Sequence, residues 1–141
     1  MTQEYTGKSP YYADLDEDSS LLLVAVACFV EDLAQRVYAL LDTASPWCIL
    51  PPSVAARLGF DLTQGEEATL LSTRFGTLVG RLERISLTFD ASEGRPLTIQ
   101  ATCFLSTDWP GSMVIGWKGC LERMRFGFDT TAEAFYFAEG Q

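Results

Sequence analysis

The chain has no histidine among its 141 residues. That absence excludes Ser-His-Asp and Cys-His catalysis, and with them every zinc site built on imidazole. Basic charge is scarce as well: 10 Lys and Arg stand against 19 Asp and Glu, a net charge of −9. Nucleic acids and anionic membranes recruit basic surfaces, so neither is an expected partner. Long apolar runs are missing. Leu21–Val30 extends for only ten residues, where a bilayer-crossing helix takes about 20. Asp14, Asp16, Glu17 and Asp18 precede it, whereas a secretory leader carries positive charge ahead of its apolar core. A cytoplasmic location is the expectation. The four cysteines, Cys28, Cys48, Cys103 and Cys120, make no C-x-x-C pair. Reduced thiols packed in a core are expected, and no metal or cofactor.

What is present points to one β-rich domain. A chain of this length buries roughly two-thirds of its unfolded surface and folds without disulfides. Residues 1–20 are polar and acidic and read as a flexible tail, since such a composition buries too little surface to order itself. Residues 21–138 read as the folded body. Leu21–Val30 has no polar face, as in a strand covered on both sides. Residues 36–41 and 47–50 read as further strands. Pro51-Pro52 opens a short helix over 53–58, closed by Gly59, with proline and glycine at the ends where each is favoured. Leu97–Leu105 alternates apolar and polar residues, as do 85–89 and 124–128. Asp129-Thr130-Thr131 supplies a turn before a last strand over 134–137. The expected architecture is mainly β, a small closed β-barrel with one or two short helices.

One carboxylate stands apart. Asp42 lies in Leu40-Leu41-Asp42-Thr43-Ala44-Ser45-Pro46-Trp47, between apolar runs. An acid at the end of a buried strand is costly unless paired, hydrogen-bonded or used. It can also cap its own backbone, a purely structural role. Further on, residues 68–84 read as a long hairpin with Phe75 and Gly76 at its tip, glycine supplying the positive φ a tight turn requires. Such a hairpin is either a plain connection or a cover over a cleft.

The order of these motifs resembles that of the retropepsin-like aspartic proteases, over about residues 21–138. That family has hydrophobic-Asp-Thr/Ser-Gly-Ala/Ser, then a flap, then hydrophobic-hydrophobic-Gly before a short helix and a final hairpin. Here Asp42-Thr43-Ala44-Ser45 is followed by the hairpin and by Val114-Ile115-Gly116. The resemblance implies Asp42 as the catalytic carboxylate and Thr43 bonded to a partner loop. It implies Ser45 donating to the carboxylate, the hairpin at Phe75 and Gly76 as flap, and Ile115 and Gly116 packed beneath the loop. Such chemistry uses two aspartates that share a proton, and one chain of this length supplies one lobe. The implied enzyme is therefore a homodimeric endopeptidase acting on a peptide or protein. Ala44 departs from the pattern, standing where the family has glycine. The alternative is a catalytically silent relative that keeps the fold and binds a peptide or protein.

Overall fold

The computed structural model describes residues 4–16, 21–62 and 68–140. Eleven strands form one mixed sheet. They are β1 (Gly7–Asp16), β2 (Leu21–Val30), β3 (Val37–Leu41), β4 (Cys48–Leu50), β5 (Thr69–Thr73), β6 (Gly76–Phe89), β7 (Glu93–Gly94), β8 (Leu97–Leu105), β9 (Val114–Ile115), β10 (Met124–Asp129) and β11 (Ala134–Glu139). Among the described residues one short α-helix, α1 (Pro52–Arg57), follows β4, and a 3-10 turn covers Leu121–Arg123. Gly59 ends the helix at φ 87°, the left-handed conformation glycine favours.

The expected closed β-barrel is not formed. The strand order is β10-β11-β1-β2-β3-β9-β4-β8-β6-β5, with β7 on β1 and an added β2–β6 pairing. The order has two outer strands, β10 and β5. The reason is that the long strands change partners. Gly7–Pro10 of β1 pair with β11, and Tyr11–Asp16 pair with β2. The first residues of β6 pair with β5, and those from Arg81 onward with β8. A strand shared in this way turns a corner between two portions of sheet. The β2–β6 contact, Cys28–Val30 against Leu87–Phe89, joins the portions without closing the eleven strands as one barrel.

β1 also changes the reading of the N-terminal segment. Residues set apart by composition as an acidic tail contain a strand paired on both edges at Gly7 and Lys8. The apolar side of this strand is carried by Tyr11, which is buried and meets Phe128 edge-on at 5.2 Å. Aromatic contacts of this kind replace the aliphatic alternation that would have announced a strand. Residues 1–3 and 17–20 of the expected tail lie outside the described residues.

Two apolar clusters hold the sheet. The larger includes Phe89, Phe135, Phe137, Leu87, Leu50 and Ile115. Phe89 lies 6.0 Å from Phe135 and 6.1 Å from Phe137, ring centre to ring centre. Each such ring, fully buried, contributes about 2–3 kcal/mol. The smaller cluster is Ile49, Leu71, Leu78, Phe104, Trp109 and Val114. Strand alternation divides the residues between them. On β4, Cys48 and Leu50 enter the large cluster while Ile49 enters the small one. On β9, Ile115 goes to the large cluster and its neighbour Val114 to the small one. Among the described residues no helix is long and apolar enough to cross a membrane.

Candidate active site

The loop of residues 42–47 connects β3 to β4, and β9 runs between those two strands. Leu40 and Leu41 of β3 pair in parallel with Val114 and Ile115, and Ile49 of β4 pairs antiparallel with Val114. A short apolar strand is thereby inserted between the strands that enter and leave the loop. Backbone bonds extend the clamp into the loop itself. Asp42 N–H donates to Ile115 O at 3.0 Å, Trp117 N–H to Ser45 O at 2.9 Å, and Lys118 N–H to Pro46 O at 2.7 Å.

Gly116 is where the two segments touch most closely. A Cβ built there would lie 2.1 Å from Trp47 O and 2.9 Å from Ser45 O. No side chain fits, so glycine at this position is a packing requirement. Ile115 beside it is fully buried. Both residues pack against the Asp42 loop.

On this support the Asp42 carboxylate is exposed. Its Oδ1 accepts the Ala44 N–H at 2.9 Å, and its backbone carbonyl accepts Ser45 N–H at 3.1 Å. Asp42 thus caps its own loop through one carboxylate oxygen, and the residue as a whole stays exposed. Thr43 and Ala44 are exposed, and Ser45 is buried. The expected bond from Ser45 to the carboxylate is not made. Ser45 Oγ donates to Trp47 O at 2.7 Å. The serine braces the exit of the loop rather than the acid.

β5 and β6 form the hairpin expected from the sequence. Its turn is Arg74-Phe75, with Thr73 opposite Gly76. Gly76 has φ 101°, as a tight turn at the tip requires. Thr73 Oγ1 donates to Gly76 O at 2.8 Å and accepts the Phe75 N–H at 3.1 Å. The Phe75 ring meets Trp109 edge-on at 5.3 Å. Trp109 is itself fixed by donating from Nε1 to Ser112 O at 2.9 Å.

Between loop and hairpin lies a cleft of about 410 Å³. Asp42, Ala44 and Ser45 line one side; Leu71, Thr73, Arg74 and Trp109 line the other. Leu23, Leu40 and Val114 add apolar wall. The sequence reading did not assign these wall residues to the site. Trp109 sits in an Asp-Trp-Pro-Gly segment that reads as an ordinary loop, and nothing local to it signals a contact with a hairpin tip some thirty residues away. Phe75 and Gly76 were expected over the loop, but Phe75 faces Trp109 and Arg74 is the tip residue that lines the cleft.

Below the loop the four cysteines are buried and unpaired. Cys48 and Cys103 are register partners on β4 and β8. Cys48 Sγ accepts the Gly116 N–H at 3.4 Å, and the thiols of Cys103 and Cys120 bond to the same sulfur. Those bonds, and then burial, hold Cys103 and Cys120 above the ordinary thiol range. Burial pushes the Cys28 thiol up to about 12. The bonds from Cys103 and Cys120 hold the Cys48 thiol well below the ordinary range, while Cys28, Cys103 and Cys120 stay protonated at neutral pH. No group of three or more Cys, Asp or Glu among the described residues is arranged to hold a metal ion. Asp129, the other acid in an Asp-Thr sequence, accepts Thr131 and Ala132 N–H groups in the β10–β11 turn at 3.0 and 3.1 Å, as a turn residue does.

No protein-family model matches the chain, and no curated protein does. Among solved structures, the chain is similar to a retropepsin-like aspartic protease from Rickettsia conorii, at TM-score 0.59 and 16% identity. The match covers 91% of this chain and 98% of that one. The chain therefore has a fold of the retropepsin-like aspartic protease type, at a distance where the likeness speaks for the fold alone.

Proposed function

We propose that the protein is a homodimeric aspartic endopeptidase whose site is completed by Asp42 of a second copy. One observation carries this reading. The Asp42 carboxylate is exposed at the floor of a hairpin-covered cleft, on a loop clamped by β9 and by the close approach at Gly116. A carboxylate needed only to cap its loop has no reason to line a cavity of this size. The similarity of fold supports the reading at a coarser level.

In this mechanism the two Asp42 carboxylates, about 3 Å apart, hold one proton between them. The ionised one takes a proton from water as the water oxygen bonds to the scissile carbonyl carbon. The protonated one gives its proton to the carbonyl oxygen. The tetrahedral diol then collapses: one hydroxyl returns its proton to a carboxylate, the other carboxyl protonates the leaving nitrogen, and the C–N bond breaks. The pair ends with one proton, as it began. An extended peptide would lie between hairpin and loop, bonded through its backbone.

The test compares wild type with Asp42→Asn on a peptide library across about pH 4 to 7, where such a pair retains its single proton. The expected result is a loss of at least about a thousandfold in kcat/KM, the scale on which removing a reacting group acts. Equal cleavage by the two proteins would sink the proposal.

A second reading rests on Ala44. Its methyl group adds bulk at the cleft lining and its N–H is taken up by Asp42 Oδ1. On this reading the cleft binds a peptide or protein without cutting it. Strong Asp42-dependent cleavage by Ala44→Gly, together with none by wild type, favours this second reading over the first.

A further inference from the structure

Among the described residues that line the cleft, Arg74 is the one basic side chain and Asp42 the one acidic side chain. Ion pairing is sparse in this chain: among the described residues, three of its ten Lys and Arg sit beside a carboxylate. Lys8, Arg36 and Arg81 each pair with a carboxylate, at 3.1, 3.0 and 3.3 Å. Arg74 is in no such pair among the described residues, and the Asp42 carboxylate bonds to Ala44.

Its position is nevertheless defined. The guanidinium carbon lies 4.9 Å from the centre of the Phe75 ring. Phe75 stands edge-on to Trp109, which belongs to the buried cluster with Leu71 and Val114. The charge is thus stacked on an aromatic pair that reaches into the core. A stacked guanidinium has lost part of its rotamer freedom before any ligand arrives, so less is lost on binding. Its N–H fork matches a carboxylate in two parallel hydrogen bonds. The adjoining walls, Leu23, Leu40 and Val114, are apolar and reduce the screening that weakens exposed ion pairs.

We propose that Arg74 is a specificity-determining residue, selecting peptides that present a carboxylate to the hairpin side of the Asp42 cleft. The carboxylate comes from an Asp or Glu side chain or from a peptide C-terminus. The proposal rests on the peptidase reading for its substrate, but the contact itself needs only a peptide in the cleft. The acidic surface repels such a peptide at long range; the selection acts at contact, in the lifetime of the complex rather than in its rate of formation.

The experiment uses the full chain carrying Asp42→Asn, so that peptides stay intact. Binding is measured by fluorescence anisotropy for labelled peptides that differ only as Glu or Gln, each with a free or an amidated C-terminus. The expected preference for the carboxylate is about three- to tenfold, the range for a partly screened pair. It appears in the Glu/Gln comparison if side chains supply the group, and in the free/amidated comparison if the terminus does. Adding Arg74→Gln removes it, Arg74→Lys keeps only part, and Arg74→Glu shifts the preference to a Lys peptide. A carboxylate preference unchanged by Arg74→Gln, or none with Arg74 present, overturns the proposal. Wild-type cleavage, measured alongside, separates the two claims. Asp42-dependent cleavage with no Arg74-dependent selection overturns this proposal and leaves the peptidase reading standing. Arg74-dependent binding with no cleavage does the reverse.

Discussion

The floor of the cleft and the hairpin above it are built on opposite plans. The loop of residues 42–47 is clamped by strand pairing on both sides of β9, by three backbone bonds to residues 115–118, and by a glycine that allows no added atom. The hairpin tip is held by two bonds from Thr73 and one ring contact between Phe75 and Trp109. Leu70 and Val79, opposite each other on the hairpin, are both more than half exposed. The contrast shows where this molecule keeps its precision. On the peptidase proposal the contrast has a use: a group that must meet a second group at hydrogen-bond distance needs a rigid mount, while a cover that admits a peptide must open at little cost.

The comparison of the two plans can be broken most directly at its glycines. Gly116→Ala pushes a Cβ into Trp47 O and is expected to cost about 3 kcal/mol or more, read from the urea midpoint. A loss under about 1 kcal/mol would mean that the floor gives way as readily as the hairpin. Next comes Trp109→Ala, which removes a ring that is only 7% exposed. It is expected to cost about 3 kcal/mol, the low end for a buried ring because this one borders an open cleft, and also to speed amide exchange at residues 70–79, the second effect separating hairpin support from core loss.

Alkaline unfolding probes the floor from beneath. The Cys28 thiol has its folded value raised from 9.0 to about 12. A raised value stabilises below the unfolded value and the contribution is lost as pH climbs toward the folded one. Above pH 9 the unfolded chain releases this proton while the folded chain keeps it, so stability falls by about 1 kcal/mol per unit from Cys28 alone. Cys103 and Cys120, raised in the same direction, steepen the fall. Urea midpoints flat between pH 8 and 11 would contradict this. The smallest expected effect is Gly76→Ala at the tip. No atom lies within 4 Å of the added Cβ, but φ is 101°, so the strain alone costs about 1 kcal/mol. A cost equal to that of Gly116→Ala would erase the distinction between the two regions.

Much of the floor was legible in the sequence. The Asp42 loop and the Val-Ile-Gly segment are short local patterns, and each needs only its neighbours to be read. Hairpin and helix were legible for the same reason, through Gly76, Gly59 and the paired prolines. The walls were not. Leu23, Trp109 and Val114 come together through strand order, which alternation along one strand does not encode. β1 was hidden by its composition, since polar residues and tyrosines over 7–16 give no aliphatic period. The closed barrel failed for a related reason: the point at which β1 and β6 exchange partners carries no local mark. Ser45 shows the limit at atomic scale. The resemblance aimed its hydroxyl at the Asp42 carboxylate, and the backbone carbonyl of Trp47 is the acceptor it uses.

β11 has a strand on each side, β10 and β1, both from its own chain. In the proposed homodimer, a second copy meets a chain whose β11 is already paired within its own fold. Association then follows folding as a separate bimolecular step. On the peptidase proposal, specific activity falls on dilution and returns on reconcentration without hysteresis, following mass action rather than the slow kinetics of an entangled pair.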